Sequence, residues 1–347
     1  MIKLYLLEGD KMSNINWYNP NRLLSYNALM SIVLSPRGNG KSFSAKEKII
    51  RAYEKDKSQA VYVRRTRVEI DEVKGTYWND ISKKYPNHEY KIEGDIGFID
   101  GDEVVHFIAL STSSNKKSAS YPDVKLIVFD EYILTKTTYN RYLKNEVNLL
   151  LDLYETVART RENVRLLIMG NAVSFVNPLF TFFDIVPDPN KRFQTFKDGL
   201  ICLEMFHDEG FKDNKLKSKF GRLIEGTVYG DYVVENKPLE DTEDFLRERG
   251  NDRYKYLCTF LTEGFKIAVW QNLSSGGLFC DELIDINRKN QFAVQLTDLC
   301  EGYLLLRKVK LDYDCILQVF RANANGTLFY STQEVKKIMQ ERVLPYI

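Results

Sequence analysis

Ten residues, LSPRGNGKSF (Leu34–Phe43), carry the densest chemical signal in the chain. They close as a phosphate-binding loop closes, on Gly40-Lys41-Ser42, but they open on Ser35 where the pattern G-x-x-x-x-G-K-[ST] has glycine. In such a loop the backbone of Arg37, Gly38, Asn39 and Gly40 cradles the phosphates of ATP. Lys41 reaches the β- and γ-phosphates, and Ser42 coordinates Mg²⁺. Ser35 starts the turn and need not face the phosphates, so its substitution is expected to be tolerated, with slower or looser nucleotide binding as the consequence. A strand–turn–helix without function is the competing explanation of this stretch taken alone.

A second acidic signal tests the first. In KLIVFDEYI, the apolar run Leu126–Phe129 ends in Asp130-Glu131, as a central parallel strand ending in functional residues would. An acid at the first position holds Mg²⁺ through water; one at the second polarises the attacking water. A third run, VRLLIMGNAVS, ends in Asn171, whose amide could sense the γ-phosphate or the lytic water, or simply shape a turn. A fourth, QAVYVRR, ends in Arg64-Arg65.

These residues need elements to hold them. LMSIVLS before the loop predicts a buried strand. KSFSAKEKIIRAYEK after it predicts a helix with Phe43, Ala45, Ile49, Ile50 and Tyr53 on its apolar side. Such a helix offers free N–H groups and the positive end of its dipole to the phosphates. Further on, Val147, Leu150, Leu151 and Tyr154 predict a helix that runs into TVARTRENVR. Arg159, Arg161 and Arg165 there suit a helix C-terminus on dipole grounds alone.

The 347 residues suggest two domains or one large one. With 44% hydrophobic and 28% charged residues, the composition is that of an ordinary globular protein. Lys+Arg 49 against Asp+Glu 48 leaves a net charge of +1, so any contact with nucleic acid must come from a local patch. A basic run, Lys212, Lys215, Lys217, Lys219 and Arg222, is the strongest such cluster and a candidate for DNA phosphates; a solvated linker face is the alternative. The five cysteines show no C-x-x-C spacing and read as reduced thiols. No apolar run approaches the ~20 residues of a membrane helix. The opening MIKLYLLEGDKM is too short and too acidic for a signal peptide, and Met12 is a candidate start.

Along nearly its whole length the chain resembles the DNA-packaging ATPases of small tailed phages of the phi29 type. The likeness rests on YNPNRLLSY, RGNGKS, VYVRR, YPDVKLIVFDE, NEVNLLLDLYETVARTRENVR, NAVSFVNPLF, VPDPNKRF and FGRLIEGTVYG, with a weaker match in the C-terminal third. The resemblance implies an α/β protein: a P-loop NTPase domain of the ASCE type with a mainly parallel sheet, then a smaller RNase H-like domain that has lost its nuclease site. The expected boundaries are an extension over 1–11, the ATPase domain over 12–205, a basic linker over 206–236 and the second domain over 237–347.

It also implies a homo-oligomeric ring, a pentamer, docked on the portal of an empty procapsid in the host cytoplasm and absent from the mature virion. ATP hydrolysis there would drive double-stranded DNA into the shell; a packaging RNA as docking partner stays open. Lys41 and Ser42 match the nucleotide-contact positions, Asp130 the Mg²⁺ position and Glu131 the catalytic glutamate. Arg159 matches an arginine offered to the neighbouring subunit's γ-phosphate, and Lys117 a second basic position acting in trans. Loss of the nuclease agrees with YLCTFL, which carries no acid where a two-metal nuclease needs one. Asp281, Glu282 and Asp285 cluster without evident partners. Two rivals remain: a helicase or partition ATPase, and a nucleotide-binding switch module that does not move DNA.

Overall fold

The computed structural model describes residues 16–116, 118–134, 142–171, 174–175, 177–188, 190–227, 229–231, 245–282, 289–310 and 312–347. The expected extension over 1–11 lies outside them. The chain divides into two compact units, Met1–Glu240 and Asp241–Ile347.

The first unit is built on a nine-stranded sheet. Its strands in chain order are β1 (Met30–Leu34), β2 (Gln59–Arg64), β3 (Tyr90–Glu93), β4 (Ile96–Ile99), β5 (Asp102–Ala109), β6 (Val124–Phe129), β7 (Arg165–Gly170), β8 (Phe193–Phe196) and β9 (Ile201–Met205). Across the sheet they run β3-β4-β5-β2-β6-β7-β1-β9-β8. The six central strands, β5 to β9 in that order, are parallel, and the hairpin β3-β4 and strand β8 add antiparallel edges. The helices are α1 (Asn21–Leu24), α2 (Lys41–Asp56), α3 (Arg67–Thr76), α4 (Glu146–Ala158), α5 (Pro178–Phe183), α6 (Glu209–Lys217) and α7 (Lys219–Ile224).

Period-two alternation sends the strand side chains into two cores. Ile32, Leu34, Val61, Val63, Ile127, Phe129 and Ile168 face one; Val33, Ala60, Tyr62, Val128, Leu167 and Met169 face the other. A sheet covered on both faces is why these strands are written as unbroken apolar runs. Strand β7 lies between β1, which carries the loop, and β6, which carries the acids. That insertion is the mark of the ASCE arrangement.

The basic segment after β9 begins with two short helices. Asp208 accepts a hydrogen bond from the Phe211 N–H at 2.8 Å and starts α6; Ser218 accepts from the Gly221 N–H at 2.9 Å and starts α7. Leu216 and Ile224 then pack onto the first core. With so few apolar anchors on two short helices, the charges dominate the sequence and hide the packing.

The second unit holds β10 (Tyr254–Thr262), β11 (Phe265–Asn272), β12 (Leu278–Glu282), β13 (Gln291–Ala293), β14 (Leu304–Leu305) and β15 (Leu328–Tyr330). The order is β14-β13-β10-β11-β12-β15. Strands β10, β11 and β12 form an antiparallel meander, and β13 and β14 extend it in parallel, an RNase H-like order. The Ser-Ser-Gly-Gly stretch turns between β11 and β12, as its composition predicts. Helices α8 (Leu306–Val309), α9 (Asp314–Ala324) and α10 (Gln333–Ile338) complete the unit, and Ile316, Val319, Val335 and Ile338 enter its core. All five cysteines are free thiols: Cys202, Cys258, Cys280 and Cys315 are buried and Cys300 is exposed.

Candidate functional site

The loop between β1 and α2 turns on Gly38 and Gly40, with φ of 95° and 82°, a region that L side chains enter only under strain. It delivers Lys41 and Ser42 to the first turn of α2. Arg37, Gly38, Asn39, Gly40, Lys41, Ser42, Asp130, Glu131 and Asn171 line one cleft. Three segments distant in sequence therefore meet at the carboxyl ends of the parallel strands, where open α/β sheets bind ligands.

Ser35 does more than fill the place of a glycine. Its hydroxyl accepts from the Lys41 ammonium at 2.7 Å, beside its own carbonyl at 3.2 Å and that of Pro36 at 3.4 Å. Asn171 Oδ1 accepts from the same ammonium at 2.9 Å. Burial lowers the Lys41 pKa to about 8, against the opposing pull of Asp130 and then Glu131. Lys41 is thus held among neutral oxygens where a polyphosphate would complete its neutralisation.

Asp130 is buried and fully engaged. Its Oδ2 accepts from Ser42 Oγ at 2.7 Å and from the Tyr62 hydroxyl at 2.6 Å; its Oδ1 accepts from the Glu131 N–H at 2.9 Å. Tyr62 is one that sequence reasoning missed. Burial, then the charge of Asp130, raises its pKa well above the usual phenol value, so it remains a donor. The Ser42 hydroxyl and the Asp130 carboxylate are hard oxygens, of the kind Mg²⁺ takes along with water and phosphate. The two side chains fit that ion.

Glu131 has a φ of 54° and a side chain 60% exposed. Its carboxylate is paired with Arg64 at 2.6 Å, and the same guanidinium lies 3.8 Å from Asp130. Arg65, the next residue, does structural work. It is buried, grips Glu146 with Nε at 2.7 Å and Nη2 at 2.9 Å, and donates to the Tyr132 carbonyl. Arg65, just after β2, therefore fixes the turn after Glu131 and ties it to the start of α4. Removing one partner of a buried pair strands the other charge. Arg65→Ala should cost roughly 3–5 kcal/mol, read as a lower denaturant midpoint; a loss under about 1 kcal/mol would contradict the buried-pair account.

The three arginines between the end of α4 and the start of β7 separate by what they touch. Arg161 donates to the carbonyls of Tyr121, Pro122, Val124 and Val157. Arg165 donates to Glu162 and Val164 carbonyls and to Asn27. Arg159 is exposed and, among the described residues, makes one long contact, 3.4 Å to the Ala119 carbonyl. It faces a cleft that Asp152, Glu155, Thr156 and Thr160 also line, and its backbone sits at φ 51°, ψ −115°, a sparsely populated region. Lys117 lies outside the described residues; the 3₁₀ turn Leu110–Lys116 that precedes it packs on α4.

The side chains of the basic run are not all placed alike. Lys217, Lys219 and Arg222 are exposed and Lys212 half-buried, but Lys215 turns inward and donates to the Arg37 carbonyl at 2.8 Å. In the second unit, β10 carries no acid, and Thr259 is buried in mid-strand. Among the described residues no cluster of three or more His, Cys, Asp or Glu could hold a metal. Asp281 and Glu282 end β12; Asp285 lies outside the described residues.

A phosphate loop, a strand-end acid pair and the strand between them define a P-loop nucleoside triphosphatase of the ASCE class. Within that class the family is specific: the family model of the Podovirus DNA encapsidation protein (Gp16) matches residues 12–344, and the chain belongs to this family. The DNA packaging protein of Bacillus phage phi29 is 38% identical over 325 residues, 94% of this chain and 96% of the relative. That of Bacillus phage B103 is 37% identical over 319 residues, 92% and 98%. In the solved structure of the bacteriophage Phi-29 viral genome packaging motor assembly, one chain is 36% identical with a TM-score of 0.73, covering 94% of this chain and 98% of that one.

Proposed function

We propose that this chain is the ATP-hydrolysing subunit of a homo-oligomeric ring, a pentamer, that stands at the portal of a phage procapsid and drives double-stranded DNA into it. The observation that carries this is Glu131 beside Asp130, at the mouth of the cleft that Lys41 and Ser42 enter. Binding alone needs no second acid; polarising a water does. The loop N–H groups and Lys41 bind the triphosphate, and Asn171, already on Lys41, senses its terminal phosphate. Ser42 and Asp130 would hold Mg²⁺, which neutralises charge on the phosphate oxygens when bound. Tyr62 keeps the Asp130 carboxylate aimed while the Ser42 hydroxyl is engaged elsewhere. Glu131 takes the proton of the attacking water once Arg64 leaves the carboxylate oxygen it occupies.

Arg159 supplies positive charge to the neighbouring subunit's transition state, and Lys117 is the second basic group in trans. Arg159 is favoured over Arg161 and Arg165 because those two are occupied within the subunit. The second unit contacts nucleic acid without cutting it. Lys217, Lys219 and Arg222 remain the candidate DNA contacts, with Lys212 beside them. No helix among the described residues is long and apolar enough to cross a membrane, and the ring acts in the host cytoplasm, docked on the procapsid only during filling. The test is ATP turnover with and without duplex DNA, at concentrations that drive self-association. Turnover should rise with DNA; turnover indifferent to both DNA and protein concentration would favour the non-motor switch module.

A further inference from the structure

Lys215 belongs to α6, 178 residues from the loop it touches. Its ammonium donates to the Arg37 carbonyl at 2.8 Å and lies 5.2 Å from the centre of the Phe211 ring. Phe211 reaches the same place: a side chain built on Gly38 would meet its ring at 3.6 Å. Among the described residues no carboxylate pairs with Lys215. Neither Lys215 nor Phe211 lines the nucleotide cleft, whereas Arg37 and Gly38 do. The Arg37 carbonyl therefore points out of the cleft toward α6. In a planar trans peptide the N–H of the next residue points the opposite way, and no peptide bond here is cis. The Gly38 N–H is consequently aimed into the cleft.

We propose that Lys215 is a positioning residue for the nucleotide: by holding the Arg37 carbonyl outside the loop, it fixes the Gly38 N–H on the phosphates. This rests on the nucleotide-site assignment made above. A glycine at φ 95° has little of its own to keep that peptide from turning over, so the brace must come from elsewhere, and a charge-assisted hydrogen bond is a strong one. The lysine also adds positive charge beside the loop whose Arg37 carbonyl it holds. The consequence is that nucleotide affinity depends on a helix outside the sheet, and that Lys215 is not a DNA contact.

The experiment is calorimetric titration of the full chain with Mg²⁺–ATPγS, without DNA. Lys215→Gln should weaken binding about ten-fold, Lys215→Arg should recover most of it, and Lys55→Gln, an exposed lysine on α2, should change nothing. In turnover assays the loss should appear in KM more than in kcat. Affinity for a short DNA duplex at saturating ATPγS, and its salt dependence, should stay at wild-type level. Wild-type ATPγS affinity in Lys215→Gln, with Lys41→Ala having lost it, would overturn the proposal and leave the nucleotide site standing. Undiminished binding by Lys41→Ala would overturn the site itself. If Lys215→Gln fails to fold, Lys215→Met takes its place: a folded Lys215→Met that binds ATPγS as wild type overturns the proposal, and one that binds about ten-fold weaker while Lys215→Arg recovers supports it.

Discussion

Glu131→Gln will bind ATP and Mg²⁺ with near wild-type affinity and hydrolyse it roughly a hundred- to ten-thousand-fold more slowly. The expectation follows from what surrounds the residue. Its side chain is 60% exposed and, among the described residues, is paired only with Arg64 through a 2.6 Å contact, so an amide of the same shape costs the fold little. Asp130 keeps its contacts with Ser42 and Tyr62, and Lys41 its contacts with Ser35 and Asn171, because none of those hydrogen bonds uses the Glu131 carboxylate. What the amide cannot do is accept the proton of an attacking water. Equilibrium binding of nucleotide and single-turnover hydrolysis, measured on the same preparation, separate the two. Equal single-turnover rates in mutant and wild type would remove Glu131 from the mechanism.

Arg159→Ala should abolish DNA-stimulated turnover by roughly a thousand-fold or more, within the range an arginine supplied in trans contributes to phosphoryl transfer. Activity should return in part when Arg159→Ala subunits are mixed with Lys41→Ala subunits. In such a mixture some interfaces pair an intact loop with an intact arginine. The backbone offers a second readout. Arg159 holds φ 51° and ψ −115° at the end of α4, a conformation that costs a non-glycine residue on the order of 1–3 kcal/mol. Arg159→Gly should therefore melt at a higher temperature than wild type while being as inactive as Arg159→Ala. A strained position kept at the expense of stability is what a functional side chain there would require. An inactive mixture would place the defect within the subunit, and a glycine variant that melts lower would remove the strain argument.

The parallel strands are legible in the sequence because burial on both faces writes each as an apolar run, and because the residues that matter stand at its end: Leu34 before the loop, Phe129 before Asp130, Gly170 before Asn171. The phosphate loop is legible through its glycines. Less visible is anything that depends on strand order. Tyr62 and Arg64 act on Asp130 and Glu131 because β2 lies next to β6, and no local pattern states that adjacency. Ser35 looks like a weakened glycine; its contact with Lys41 arises only once the loop is closed. Helices α6 and α7 are masked by their own lysines, which read as a solvated linker. Lys215 is counted there with its neighbours, although one turn of helix separates a residue facing the loop from residues facing solvent.

The thiols have a practical use. Four of the five are shut inside the two units, and Cys300 alone is open to solvent. A maleimide dye under native conditions should therefore attach once per chain, without engineering a cysteine-free background. Stepwise photobleaching of singly labelled assemblies then counts subunits one fluorophore at a time.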